Sequence, residues 1–352
     1  MAKTDVIRSL KPQEWPQADQ VAWAEACRPR SKLARGGSAA HLSSVTRKDI
    51  VCRYGLFLDH VVRNKGLELS NHAAASSVTP QWVRSYVAEL TARVSSVTVY
   101  GSIAKLRRAA ELLAPTQAFG WLREIENDLA FDMRPAGKFN RIVATEDIIV
   151  AGITLMREVE TANKLTPLKR AKLYRNGLMI ALLALNPIRL KNFSSLFIGQ
   201  NFILVGDHWH IALTAQETKE HRPDERPVAS FLSAHILCYL HTYRRLFGCT
   251  SQALWISQNG KPMGYSAVAR VITETTKQTL GIAISPHLFR TCAASTAYMR
   301  AGAHPDLAAA LLNHRGQKTT QDHYNRAKSS FYSQKFAELI ETEGLRRETV
   351  SG

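Results

Sequence analysis

The sequence predicts a two-domain, mainly α-helical protein with one small antiparallel β-sheet in its second domain. Three observations predict it. Apolar residues recur every three or four positions through 46–132 and again from 148 onward, as helices require. A stretch at 133–147, with Pro135, Gly137, Arg134, Lys138 and Arg141, interrupts the pattern as a linker would. Only 186–230 changes period, with short β-rich runs between polar turns. A chain of 352 residues is long enough for two cores.

Residues 1–44 are broken by Pro12, Pro16, Pro29 and the Gly36-Gly37 pair. They read as an N-terminal extension with one short helix at about 18–26, held down by Trp15 and Trp23, because two tryptophans argue against disorder. The first domain is placed at 45–132. Its first helix carries Ile50, Tyr54, Phe57, Leu58 and Val61, and ends near Gly66. The next opens with Thr79 as cap and Pro80 at the first helical position, followed by Trp82, Val83, Tyr86, Val87 and Leu90. "SSVTVYGSIAKLRRAAELLAP" forms a third helix and "FGWLREIENDLAF" a fourth. Lys105, Arg107 and Arg108 on the third are either a solvated face or contacts to a polyanion.

The second domain is placed at 148–330, with 331–352 as a tail. Its first helix runs to about residue 162, and the next is strongly apolar over 178–185, hence a core helix. Strands are expected at 202–205, 208–213 and 227–230. Helix is expected again over 231–330, and the tail has helical spacing at Phe331, Phe336, Leu339 and Ile340.

Lys plus Arg number 46 against 29 acidic residues, a formal net charge of +17, with a pI near 9.9. The excess is spread over both halves and suggests a nucleic-acid partner, since each neutralised phosphate releases condensed counterions. The five cysteines are scattered and make no zinc-ligand spacing, which suits free thiols in a reducing compartment. The sequence has neither the ~20-residue apolar run of a membrane span nor an apolar secretory stretch at its start. A soluble intracellular protein with a nucleic-acid partner is the expectation.

One short segment collects unusual chemistry. "HLFRTCAASTAYMRAG" begins at His287 and is followed, after Ala303, by "HPDLAAALLNHRGQKTTQDHY", which ends at Tyr324. Pro286 suits a helix start, His287 and Arg290 then share a face at i,i+3, and Leu288, Phe289, Cys292 and Ala293 pack behind. His314 falls at the end of a helix anchored by Leu307, Leu311 and Leu312. A serine-hydrolase triad wants a carboxylate to orient its His, and a zinc site wants HExxH or Cys pairs. Here cations accompany a phenol, and that set suits a phosphodiester.

These motifs resemble the tyrosine recombinase (phage integrase) family, whose catalytic domain carries Arg, Lys, His-x-x-Arg, His and Tyr in that order. "PHLFRTCAA" is similar to its His-x-x-Arg box and "LLNHRGQKTTQDHY" to the segment leading to its nucleophile. "ALLALNPIRLKNFSSL" resembles the first-arginine box, giving Arg189, and "ALTAQETKEHRPDERPVAS" the lysine hairpin, giving Lys219, with Arg222 and Lys261 as nearby alternatives. Pro187 stands where the family usually has Gly, and Asn192 where it usually has an acidic residue. Tyr298 and Tyr332 are rivals to Tyr324, but their spacing from Arg290 and His314 fits the family less well.

The resemblance implies a two-domain C-shaped clamp, a helical core-binding domain plus a catalytic domain. It implies that Tyr324 attacks the scissile phosphate while Arg189, Arg290 and His314 hold the nonbridging oxygens. Lys219 would protonate the leaving oxygen and His287 accept the tyrosine proton. It implies no cofactor, neither metal nor ATP. The partners implied are double-stranded DNA bearing specific recombination sites and further copies of the chain or related recombinases, as a tetramer on two duplexes. The terminal helix would dock on a neighbouring protomer. Lys105, Arg107, Arg108, Lys138 and Arg141 are the candidate DNA contacts. A type IB topoisomerase-like enzyme and a catalytically silent DNA-binding protein are the alternatives.

Overall fold

A computed structural model describes residues 6–31, 35–64, 73–134, 139–162, 164–219, 221–301 and 311–312. His314, Tyr324, Lys138 and the 331–352 tail lie outside the described residues. The chain divides into two compact units, Met1–Gly137 and Lys138–Gly352.

In the first unit the helices are α1 (Gln17–Ala26), α2 (Ser44–Arg63), α3 (Pro80–Arg93), α4 (Ser96–Leu113) and α5 (Gly120–Phe131). Starts follow local chemistry. The Ser43 side chain accepts from the Thr46 amide, and Thr79 accepts from Trp82 ahead of Pro80. Ile50, Phe57, Leu58, Tyr86, Ile103 and Leu106 are fully buried and form the centre of this core.

The N-terminal segment is part of the same core. Trp15 is buried, its ring lies edge-on to Tyr54 at 4.9 Å, and its Nε1 donates to the Leu10 carbonyl. Asp19, 1% exposed, accepts from Tyr54 Oη and from the Ala75 amide, both at 2.7 Å. Those bonds join α1 to α2 and to the turn before α3. Ala75 has φ +58, a left-handed conformation that its amide's bond to the Asp19 carboxylate helps hold. Between α2 and α3, buried His60 sits between Glu89 (2.6 Å) and Ser85 (3.1 Å), and Arg63 bridges Asp59 and Glu89.

The second unit is built on α6 (Thr145–Thr161) and α7 (Pro167–Leu185). Thr166 caps α7 by accepting from the Lys169 amide. From Tyr174 to Ala184 almost every α7 residue is buried, which is why its apolar pattern has no polar face. Gly152 of α6 and Gly177 of α7 let the two backbones meet. A Cβ built on Gly152 would lie 2.6 Å from the Gly177 carbonyl oxygen, and one on Gly177 would lie 2.7 Å from that of Gly152.

A short helix α8 (Leu190–Ser194) leads into the antiparallel sheet β1 (Phe202–Val205), β2 (His208–Leu213) and β3 (Asp224–Pro227), in the order β1-β2-β3. The sequence expectation for the last strand, 227–230, is corrected. Asp224 pairs with Leu213 and Arg226 with Ile211, while Pro227, lacking an amide, stands at the strand's end. After it the chain turns into a 3-10 segment, Ser230–Leu232.

α9 (Ser233–Cys238) continues into a π-turn at Tyr239–Tyr243 and a 3-10 turn at Arg244–Phe247. The expectation of helix from 231 onward is also corrected, because 248–264 is irregular. That loop is fixed by buried Trp255, whose Nε1 donates to the Phe193 carbonyl, and by buried Arg175, which donates to the Ile256 carbonyl. α10 (Tyr265–Leu280) and α11 (Pro286–Ala301) close the described core. Among the described residues no helix is long and apolar enough to cross a membrane.

Candidate active site

Arg189 is set at the junction between α7 and α8. α7 ends at Leu185, and Ile188 donates back to the Asn186 carbonyl at 2.7 Å, folding Asn186-Pro187-Ile188 into a tight turn. Arg189 is the N-cap residue of α8, its carbonyl accepting from Asn192 and Phe193. Fully buried Phe193 packs on Trp255, ring centres 5.0 Å apart, so the backbone that presents Arg189 is anchored in the core.

Arg290 arrives from the first turns of α11. Pro286 opens the helix, and the Ser285 carbonyl accepts from Leu288 at 2.8 Å. Leu288, Phe289, Cys292 and Ala293 are buried, as the spacing predicts. His287 is exposed, whereas Arg290, expected on the same face, is 8% exposed. The difference lies in what the guanidinium reaches. Its Nη1 donates to the Pro187 carbonyl and its Nη2 to the Leu312 carbonyl at 2.6 Å. Pro187 keeps the one backbone group this contact uses, its carbonyl.

The electrostatics are cationic. Burial, and then the charges of Arg189 and Arg226, push the Arg290 pKa down to about 10, with Asp224 acting in the opposite direction. The structure therefore brings Arg189 and Arg290 into one electrostatic neighbourhood and adds Arg226 and Asp224 of β3 to it. Arg226 donates to Asp224 through Nε at 2.7 Å and Nη2 at 2.9 Å, a two-point pair. Sequence reading did not single these two out. An Asp-x-Arg places both side chains on one face only if the segment is a strand, and the strand was expected to begin at 227.

Lys219 lies in the turn between β2 and β3 and is exposed. That turn is ordered by its neighbours. The Glu217 carboxylate accepts from the Thr214 amide and hydroxyl and from Asn201, and Thr218 Oγ1 donates to the Arg222 carbonyl at 2.6 Å. His221, at φ +53, completes the bend.

Of the candidate DNA contacts, Lys105 is ion-paired with Asp49 at 2.9 Å, tying α4 to α2. Arg107 meets both Glu126 and Glu111, tying α4 to α5. Arg108 is exposed, and Arg141, also exposed, donates to the Ala283 carbonyl at 2.9 Å.

A sequence model of the phage integrase family matches residues 155–330, half of the chain and all of the described elements just discussed around Arg189 and Arg290. The chain belongs to this family, the tyrosine recombinases, DNA cleaving and rejoining enzymes of site-specific recombination.

Solved structures share the fold. The XerH site-specific recombinase bound to difH substrate, a pre-cleavage complex, aligns with a TM-score of 0.57 at 13% identity, over 92% of this chain and 97% of that one. The post-cleavage complex of XerH with palindromic difH gives 0.54 at 14%, over 80% and 78%. A lambda integrase dimer bound to a COC′ core site gives 0.52 at 10%, over 82% and 90%. No curated protein matches by sequence.

Proposed function

We propose that this protein is a site-specific DNA recombinase in which Tyr324 attacks the scissile phosphate, forming a 3′-phosphotyrosyl link and releasing a 5′-hydroxyl. Arg189 and Arg290 neutralise the nonbridging oxygens as charge develops, and His314 donates a further hydrogen bond to them. Lys219 protonates the leaving 5′-oxygen. His287, exposed on the first turn of α11, accepts the tyrosine proton, help that a phenol of pKa ~10 needs near neutral pH. The free 5′-hydroxyl of a second strand then reverses the step, giving a Holliday junction and, after a second exchange, recombinant DNA.

The observation that carries this reading is the meeting of two arginine boxes from distant parts of the chain. Arg290 is hydrogen-bonded to the residue two before Arg189 and lies within the reach of its charge. Guanidinium groups gathered in one place suit a substrate that brings negative charge with it.

In this reading residues 45–132 form the DNA-binding bundle, 133–147 the linker and 148–330 the catalytic domain. Arg108, Lys138 and Arg141, with what the ion pairs of Lys105 and Arg107 leave available, lie along the phosphate backbone. The active assembly is a tetramer on two duplexes, joined by the 331–352 tail. Mapping covalent protein–DNA adducts across the DNA flanking the gene tests the proposal. Adducts clustered at one short sequence, with recombination between two copies of it, are the expected result. Scattered adducts, with supercoil relaxation and no recombination, would replace it with a topoisomerase.

A further inference from the structure

Beside the Arg290 anchor points lies a hollow of about 410 Å³, lined in part by Asn186, Asp224, Arg226, Val228 and Leu311. Asn186 immediately precedes Pro187, and Leu311 immediately precedes Leu312, the two residues whose carbonyls hold Arg290. The hollow therefore adjoins the residues that hold Arg290, and shares Arg226 and Asp224 with the arginine cluster.

Two of its lining side chains are almost wholly buried and each keeps one donor without a partner. Asn186 is 3% exposed and its Nδ2 is unpaired, and Arg226 is 8% exposed and its Nη1 is unpaired. Both oxygens of Asp224 are engaged by the other two guanidinium nitrogens of Arg226, so the pair holds itself neutral and leaves Nη1 over. A buried donor without an acceptor is costly, and folded proteins keep few of them. Two such donors on one hollow, next to Arg189 and Arg290, call for an acceptor that carries negative charge.

We propose that this hollow is a second oxyanion subsite, in which Arg226 Nη1 and Asn186 Nδ2 donate to a nonbridging oxygen of a DNA phosphate flanking the scissile one. The assignment rests on the recombinase reading above and deepens it. Arg226 and Asn186 are binding residues that fix where the strand lies relative to Arg290. A free phosphate ion offers the same chemistry, so the test separates the two sources.

Full-length wild type, Asn186→Leu and Arg226→Lys are compared. Lysine keeps the charge that faces Asp224 and loses the second donor, while leucine fills the amide's space. The first measurement is covalent adduct formation on a nicked duplex carrying the sequence that wild type cleaves, with each flanking phosphate replaced in turn by a neutral methylphosphonate. Both variants are expected to form adduct about tenfold more slowly. One methylphosphonate should slow wild type by a similar factor and leave the variants unaffected. Variants that cleave as wild type does, or that respond to every methylphosphonate as it does, overturn the proposal.

The second measurement is the rise in Tm on adding inorganic phosphate, against sodium chloride of equal ionic strength. A rise present in wild type and absent in both variants, with cleavage unchanged, would assign the hollow to the free ion and overturn the DNA assignment. If wild type forms no adduct on any DNA, the recombinase reading fails. The phosphate-dependent rise then still tells whether the hollow takes an oxyanion, since an equal rise in all three proteins removes the subsite itself.

Discussion

Arg290 donates through Nη1 to the carbonyl of Pro187, 103 positions earlier in the chain. With the second bond to Leu312, one guanidinium joins the start of α11, the α7–α8 turn and the segment that leads toward His314. Its fork geometry reaches two carbonyls at once, which an ammonium on a flexible stem cannot reproduce. Arg290→Lys should therefore lower adduct formation by about 10²–10³-fold with DNA binding retained, measured by trapping on a nicked duplex and by gel shift. Adduct formation at the wild-type rate would remove Arg290 from the reaction.

Lys219 carries its proposed role from an ordered hairpin turn, with Arg222 in the same turn and Lys261 elsewhere in the chain as alternatives. If Lys219 protonates the leaving oxygen, a substrate whose bridging 5′-oxygen is replaced by sulfur no longer needs it, because a thiolate leaves without a proton. Lys219→Ala should cleave the ordinary duplex about 10²–10⁴-fold more slowly and the sulfur-bridged duplex at nearly the wild-type rate. A variant equally slow on both duplexes would place Lys219 outside proton transfer.

Gly152→Ala tests the frame that carries Arg189. The new Cβ would lie 2.6 Å from the Gly177 carbonyl oxygen on α7, so the two helices must move apart. A loss of about 1–3 kcal/mol follows, read as a lower urea midpoint with an unchanged slope. Gly101→Ala is the control, since nothing lies within 4 Å of a Cβ built there. Equal stability of the two variants would mean that α6 and α7 are not closely apposed.

His235 gives the second unit a pH dependence. Its Nδ1 lies 3.1 Å from Tyr174 Oη, and burial lowers its pKa below the ordinary value near 6.5, with a smaller opposing effect from Glu160. Between the lowered value and 6.5 the unfolded chain binds more protons than the folded one. The contribution is thus present above about pH 6.5 and lost as pH falls through the lowered value. Thermal denaturation across pH 5–8 should show a steeper acid-side fall for wild type than for His235→Gln, and parallel curves would contradict the assignment.

Much of this architecture was legible because its signals are local. Thr79-Pro80 is a cap followed by a residue pre-set for helix, and α3 starts there. α8 escaped because five residues are too few to display a helical period. β3 begins three residues before the strand that the sequence predicts, because its Asp-x-Arg looks polar and its burial depends on the pairing of Arg226 with Asp224, a contact no spacing announces. The arginine boxes were legible as motifs. What required the fold was the identity of their neighbours: that Arg290 turns inward onto Pro187 and Leu312, and that Arg226 joins it.

The central claim is that a phosphotyrosyl link at Tyr324 carries the strand exchange. The direct measurement is covalent trapping on a nicked duplex containing the cleaved sequence, followed by peptide mapping of the adduct, with wild type and Tyr324→Phe side by side. The account predicts an adduct on the peptide containing Tyr324 and none with Tyr324→Phe, although that variant still binds the duplex. An undiminished adduct with Tyr324→Phe, or one mapped to Tyr298 or Tyr332, would contradict it.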